Sequence, residues 1–106
     1  MLLDDMAVKL HETAVEKGFW PEDVDDIFVT KQLMMIVSEA VEVMEAIRKD
    51  KGEDQIADEM ADILIRTLDL YAGLVEHGYT KVSLDYALDK KAGINKDRPE
   101  RHGVRF

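Results

Sequence analysis

Two carboxylate pairs are the side chains in this sequence best suited to chemistry: Glu39 with Glu42, and Glu59 with Asp62. Three-residue spacing on a helix puts both members of a pair on one face, a turn apart. Each pair lies in an otherwise apolar stretch, residues 33–47 and 57–65. A carboxylate is costly in such a place unless something compensates it. One pair on its own is an ordinary solvated stripe. Two pairs, each displaced toward an apolar strip, suggest four carboxylates meeting between packed helices. Their repulsion would be relieved by a bound cation. Oxygen-only ligands suit a hard ion, Mg2+ or Mn2+ in its stead.

The elements that must position these groups follow from the periodicity. On a wheel of about 100° per residue, Leu33, Val37, Ala40, Val41, Met44 and Ile47 form the main apolar arc of one helix. Thr30, Ser38, Glu45, Arg48 and Lys49 form its polar arc, and Glu39 and Glu42 fall beside Met35, Val43 and Ala46. In the next helix Asp58, Asp69 and Glu76 make an outer stripe, while Glu59 and Asp62 share a strip with Ile63, Leu70 and Gly73. The pattern predicts four helices: 3–17, about 31–51 capped by Thr30, about 54–77, and one after Thr80 or Ser83 that Gly93 breaks or softens. Gly18, Gly52 and Gly78 are read as terminators, and the tail as irregular after Pro99. The expected architecture is a single all-α domain over residues 1–106, a four-helix bundle. The middle helices are apolar around more than half their circumference, which predicts a homodimer or a higher even-numbered assembly.

Several other residues have two readings. Trp20 either seals the bundle end with Phe19 and Phe28 or forms a wall on which a base stacks. Lys31 is either a surface lysine or a phosphate or sugar contact. Arg66 either pairs with Asp62 or Asp69 or neutralises ligand charge. His11 reads as a packed histidine rather than a metal ligand, since no partner follows at ligand spacing.

Composition narrows the class. The absence of cysteine excludes disulfides, thiolate catalysis and zinc–thiolate sites, and fits a reducing cytoplasm. No run approaches the ~18–20 apolar residues of a membrane span, and no signal peptide is visible, so a cytoplasmic protein without a membrane partner is expected. The net charge of −9 argues against binding duplex nucleic acid. That charge is uneven. Residues 90–106 carry six basic and two acidic side chains, which leaves −13 on residues 1–89. An acidic body with a basic tail suits a metal–polyphosphate ligand, the body holding the cation and the tail the anion.

The residues resemble a known family. Ser38-Glu39-Ala-Val-Glu42 and Asp58-Glu59-Met-Ala-Asp62 are similar to the Glu-x-x-Glu and Glu-x-x-Asp motifs of the MazG-like all-α nucleoside triphosphate pyrophosphohydrolases. Lys91, Asn95, Arg98 and Pro99, followed by His102, Gly103 and Phe106, resemble that group's ending. The segment 17–20 resembles its short single-domain members, including the integron-cassette subtype. The resemblance implies a MazG fold assembled as a homodimer or homotetramer. It implies Mg2+ on Glu39, Glu42, Glu59 and Asp62, with Glu39 or Glu42 activating a water. Lys91, Asn95 and Arg98 would contact phosphates or sugar. The implied reaction converts NTPs or dNTPs to the monophosphate and pyrophosphate, often as house-cleaning of the nucleotide pool. A dUTP-specific pyrophosphatase is a variant of this reading. A helical interaction module without catalysis is the non-enzymatic alternative. A carboxylate-bridged di-iron or di-manganese centre is disfavoured because no Glu-x-x-His occurs.

Overall fold

The computed structural model describes residues 2–98. The expected irregular tail from Pro99, with His102, Gly103 and Phe106, lies outside the described residues. The fold is all-α, with four helices: α1 (Leu2–Glu16), α2 (Asp26–Arg48), α3 (Glu53–Glu76) and α4 (Leu84–Asp97). α3 is the central element. It packs along both α1 and α2, while α4 packs against α1.

The helix ends depart from expectation in instructive ways. α2 begins a turn earlier than predicted, because Asp25 rather than Thr30 is the N-cap; its carboxylate accepts a bond from Phe28 N–H at 2.8 Å. Thr30 instead lies within the helix and donates its hydroxyl to the Asp26 carbonyl. α2 also ends earlier than Gly52. Asp50 takes the left-handed conformation, φ 51°, and Lys51 N–H bonds back to the Ala46 carbonyl. Gly52 becomes the N-cap of α3, at φ 98°. The same backward bond closes α1 after Gly18, from Phe19 to Ala14, and α3 after Gly78, from Tyr79 to Leu74. Ser83, one of the two expected caps, starts α4 by accepting from Tyr86 N–H. Gly93 does not break α4, which runs on to Asp97.

α1 and α4 cap each other. Asp85 accepts from the Leu3 and Asp4 amides, and Asp4 accepts from the Ser83 hydroxyl and from the Leu84 and Asp85 amides. The hydroxyl of Ser83, ahead of the amides, holds the Asp4 carboxyl down at about 2. Tyr79 ties the end of α3 to the start of α2 by donating its hydroxyl to Asp26 at 2.6 Å.

The core is small. Among the described residues only Ala7, Ala14, Val29, Ala46, Leu68 and Leu70 are buried hydrophobics. The face α2 turns inward carries Val29, Met35, Ile36, Glu39, Val43 and Ala46. Its main apolar arc of Leu33, Val37, Val41, Met44 and Ile47 faces outward and is exposed. Met60, Leu64 and Ile65 of α3 are exposed as well. The radius of gyration, 16.2 Å, exceeds the roughly 13 Å of a closed domain this size. The chain alone is therefore open.

Candidate functional site

The polar residues of α3 form one continuous stripe. Glu59, Asp62, Arg66, Asp69, Gly73 and Glu76 follow at alternating spacings of three and four, so they share a face. That face lies in the cleft between α1 and α2. Asp69 and Glu76 are therefore not part of an outer stripe, as the wheel suggested, since both bond to His11 of α1; Asp58, the third member of that stripe, is exposed.

At one end of the stripe, ligand oxygens of Glu39, Glu59 and Asp62 lie within 4.8 Å of one another. Glu39 and Glu59 are half-buried and Asp62 is exposed. Gln55 donates to Glu59 Oε1 at 2.8 Å, one turn away. Arg66 Nε donates to Glu39 Oε1 at 2.9 Å, across the α2–α3 contact. Arg66 thus pairs with neither Asp62 nor Asp69, the partners expected from its own helix. Its reach carries it to the facing helix, where Glu39 is only 15% exposed. Glu42 is outside the three-carboxylate group and exposed. Its position one turn on rotates it away from α3.

Two cavities flank Arg66. The first, about 330 Å³, is lined by the apolar Leu10, Ala14, Phe19 and Ile65 and by the polar Thr13, Glu39, Asp62, Arg66 and Asp69. The second, about 260 Å³, brings Trp20 and Lys31 together with Phe19, Gln32, Met35, Arg66 and Asp69. Two of the sequence-derived substrate contacts, Trp20 and Lys31, therefore share a cavity next to the carboxylates. Lys91, Asn95 and Arg98 belong to α4 and its C-cap and line neither cavity.

Trp20 is held by several contacts and lines the second cavity. Its Nε1–H donates to Asp69 Oδ1 at 2.9 Å. Its ring meets His11 edge-on at 4.6 Å, Phe28 at 5.1 Å and His77 in a parallel stack at 5.9 Å. The end-sealing reading thus describes its packing, and the cavity-wall reading its open side. Below it, Gly73 leaves the room: a Cβ there would collide with the Trp20 ring. His11 is buried, with Nδ1 2.9 Å from Asp69 Oδ1 and Nε2 2.7 Å from Glu76 Oε2. The two carboxylates hold the imidazole ring from both of its nitrogens. The partners missed from the sequence lie 58 and 65 residues away in the chain, so local spacing held no sign of them.

The oxygen-only trio on facing helices fits a hard divalent cation, since three anionic groups this close repel one another and Arg66 supplies one positive charge against three negative. The model of the MazG nucleotide pyrophosphohydrolase domain matches residues 29–91, more than half of the chain. The chain belongs to the MazG family. The matched span contains both acidic pairs and Lys91 of this MazG domain, and stops short of Asn95 and Arg98. No curated protein and no solved structure matches the chain. Among the described residues no helix is long and apolar enough to cross a membrane.

Proposed function

We propose that this MazG domain hydrolyses nucleoside triphosphates, ribo or deoxy, at the α-phosphorus. Water adds to that phosphorus, the bond to the bridging oxygen of the β-phosphate breaks, and the products are the monophosphate and pyrophosphate. The observation that carries this reading is the approach of Glu39, Glu59 and Asp62 across two helices, beside a cavity that Glu39 and Asp62 line together with Phe19, Ile65 and Arg66. Those three residues would hold Mg2+, with Mn2+ as a substitute. When bound, the ion neutralises triphosphate charge and polarises the phosphoryl group.

The chain's own residues have separable tasks. Glu42 is a carboxylate one turn from Glu39, solvated and outside the trio, and it accepts the proton of the attacking water, with Glu39 the other candidate. Arg66, paired with Glu39 in this structure, would turn to the phosphates of a bound substrate, where its charge would oppose that developing on the leaving group. Lys31 faces the second cavity and reaches phosphate or sugar. Trp20 and Phe19 wall off the base. Lys91, Asn95 and Arg98 complete the phosphate contacts. Since α4 packs against α1, these three come to the site from the neighbouring copy in a homodimer or homotetramer or by movement of α4. A house-cleaning role in the cytoplasm fits such chemistry.

The test is a panel of common NTPs and dNTPs, with dUTP, scored for pyrophosphate with and without Mg2+. Pyrophosphate that requires Mg2+ and is lost in Glu42→Gln and in Asp62→Asn is the expected result. Orthophosphate as the product would place the attack on another phosphorus. Metal-independent wild-type rates in either variant would remove these carboxylates from the mechanism.

A further inference from the structure

Asp69 is a carboxylate that the reaction at the metal end does not use, and its surroundings are unusually constrained. Its Oδ1 accepts from both Trp20 Nε1–H and His11 Nδ1, each at 2.9 Å. Its Oδ2 has no hydrogen-bond partner among the described residues. The side chain is 19% exposed, and what is exposed lies in the cleft, because Asp69 lines both cavities. Two donors thus hold one oxygen and leave the other unbonded, on a side chain that lines the first cavity together with Phe19, Ile65 and Arg66. His11 is clamped in turn by Glu76, so the arrangement cannot rotate to offer a donor.

Position along α3 says which part of a substrate would meet this acceptor. Asp62 and Asp69 are seven residues apart on one face, about 10 Å along the helix axis at 1.5 Å per residue. A nucleotide whose triphosphate is held through a cation at Asp62 and which extends along α3 toward Asp69 would bring its base to the level of Asp69. Phe19, 66% exposed and shared by both cavities, offers the flat apolar surface that a base ring needs there.

We propose that Asp69 is a specificity-determining residue that accepts a hydrogen bond from the exocyclic amino group of the substrate's base. The proposal rests on the nucleotide reading above and narrows it. Cytosine and adenine present an amino donor where uracil, thymine and hypoxanthine present a carbonyl oxygen. A carboxylate can only accept, so an amino group is bound and a carbonyl oxygen in its place is repelled. The preferred substrates are the amino-bearing nucleotides, and a uracil nucleotide is a poor one.

The experiment compares kcat/KM within isosteric pairs, dCTP against dUTP and dATP against dITP, with Mg2+ present. The wild-type chain should favour the amino member of each pair by roughly tenfold or more. Asp69→Asn keeps an oxygen for Trp20 and His11 and replaces Oδ2 with an NH2 donor, so it should shift the dCTP:dUTP ratio toward dUTP. Asp69→Ser, which removes the fixed acceptor, should bring the ratio toward one. Equal rates within both wild-type pairs, or a folded Asp69→Asn chain with an unaltered ratio, would overturn the assignment. If Asp69→Asn does not fold, the wild-type pairs and Asp69→Ser decide. Failure to release pyrophosphate from any nucleotide would instead bring down the underlying enzymatic reading, so the two failures are distinct.

Discussion

His11 and Gly73 decide where Trp20 lies, and Trp20 in turn fixes one oxygen of Asp69. At the scale of single residues the site is thus supported by a packed cluster separate from the metal-binding trio. Gly73→Ala tests this directly. A methyl group at 73 collides with the indole ring, so the ring must shift or the helices must part. The expected cost is about 1–3 kcal/mol, typical of overpacking, with loss of the near-ultraviolet tryptophan signal; a denaturant titration and a circular dichroism spectrum measure both. A midpoint and spectrum like those of the wild type would mean that Trp20 does not rest on Gly73. The approach of Glu39, Glu59 and Asp62 was legible in the sequence because their spacing repeats one helical turn within apolar segments, whereas the separation of Glu42 from them was not. The His11, Asp69 and Glu76 cluster was not, because it joins α1 to α3 through contacts that no local period encodes.

At the scale of elements, propensity and periodicity located the four helices, and the detailed ends followed from side-chain chemistry. Thr30 and Asp25 are both good caps; Asp25 prevails because its carboxylate reaches the Phe28 amide while Thr30 is already inside the helix. The mutual capping of α1 and α4 gives a prediction with a definite sign. Asp4 has a folded-state value of about 2 against 3.8 for a free carboxyl. Between those values the unfolded chain binds the proton and the folded chain does not, so stability falls as the pH falls. The contribution is fully present above about pH 4 and gone below about pH 2. Asp4→Ala should therefore lower stability at neutral pH and flatten the acid limb of the stability–pH curve. Parallel acid limbs for the two proteins would show that the Ser83 hydroxyl does not hold the Asp4 carboxylate in solution.

At the scale of the whole molecule the sequence showed more apolar surface than one chain can bury, and the open structure places it. The wheel's main apolar arc on α2 is the exposed face, while the strip holding Glu39 is the one turned toward α3. The amphipathic pattern marks burial without saying against what, so sequence alone could not assign the two faces. If the outward arc of Leu33, Val37, Val41 and Met44 packs against a second copy, light scattering at micromolar concentration will give twice the chain mass or a higher even multiple. Val41→Glu, which sets a charge in that arc, should shift it toward one chain. A wild-type monomer at that concentration would contradict the assembly.

The account depends most on Glu39, Glu59 and Asp62 acting together on a divalent ion, and Mn2+ binding followed by its electron paramagnetic resonance signal reads this without reference to turnover. The wild-type chain should reduce the free-ion signal, and Asp62→Asn and Glu59→Gln, each with unchanged helix content, should not. Equal Mn2+ binding by the wild type and both variants would contradict the assignment of the metal to this trio.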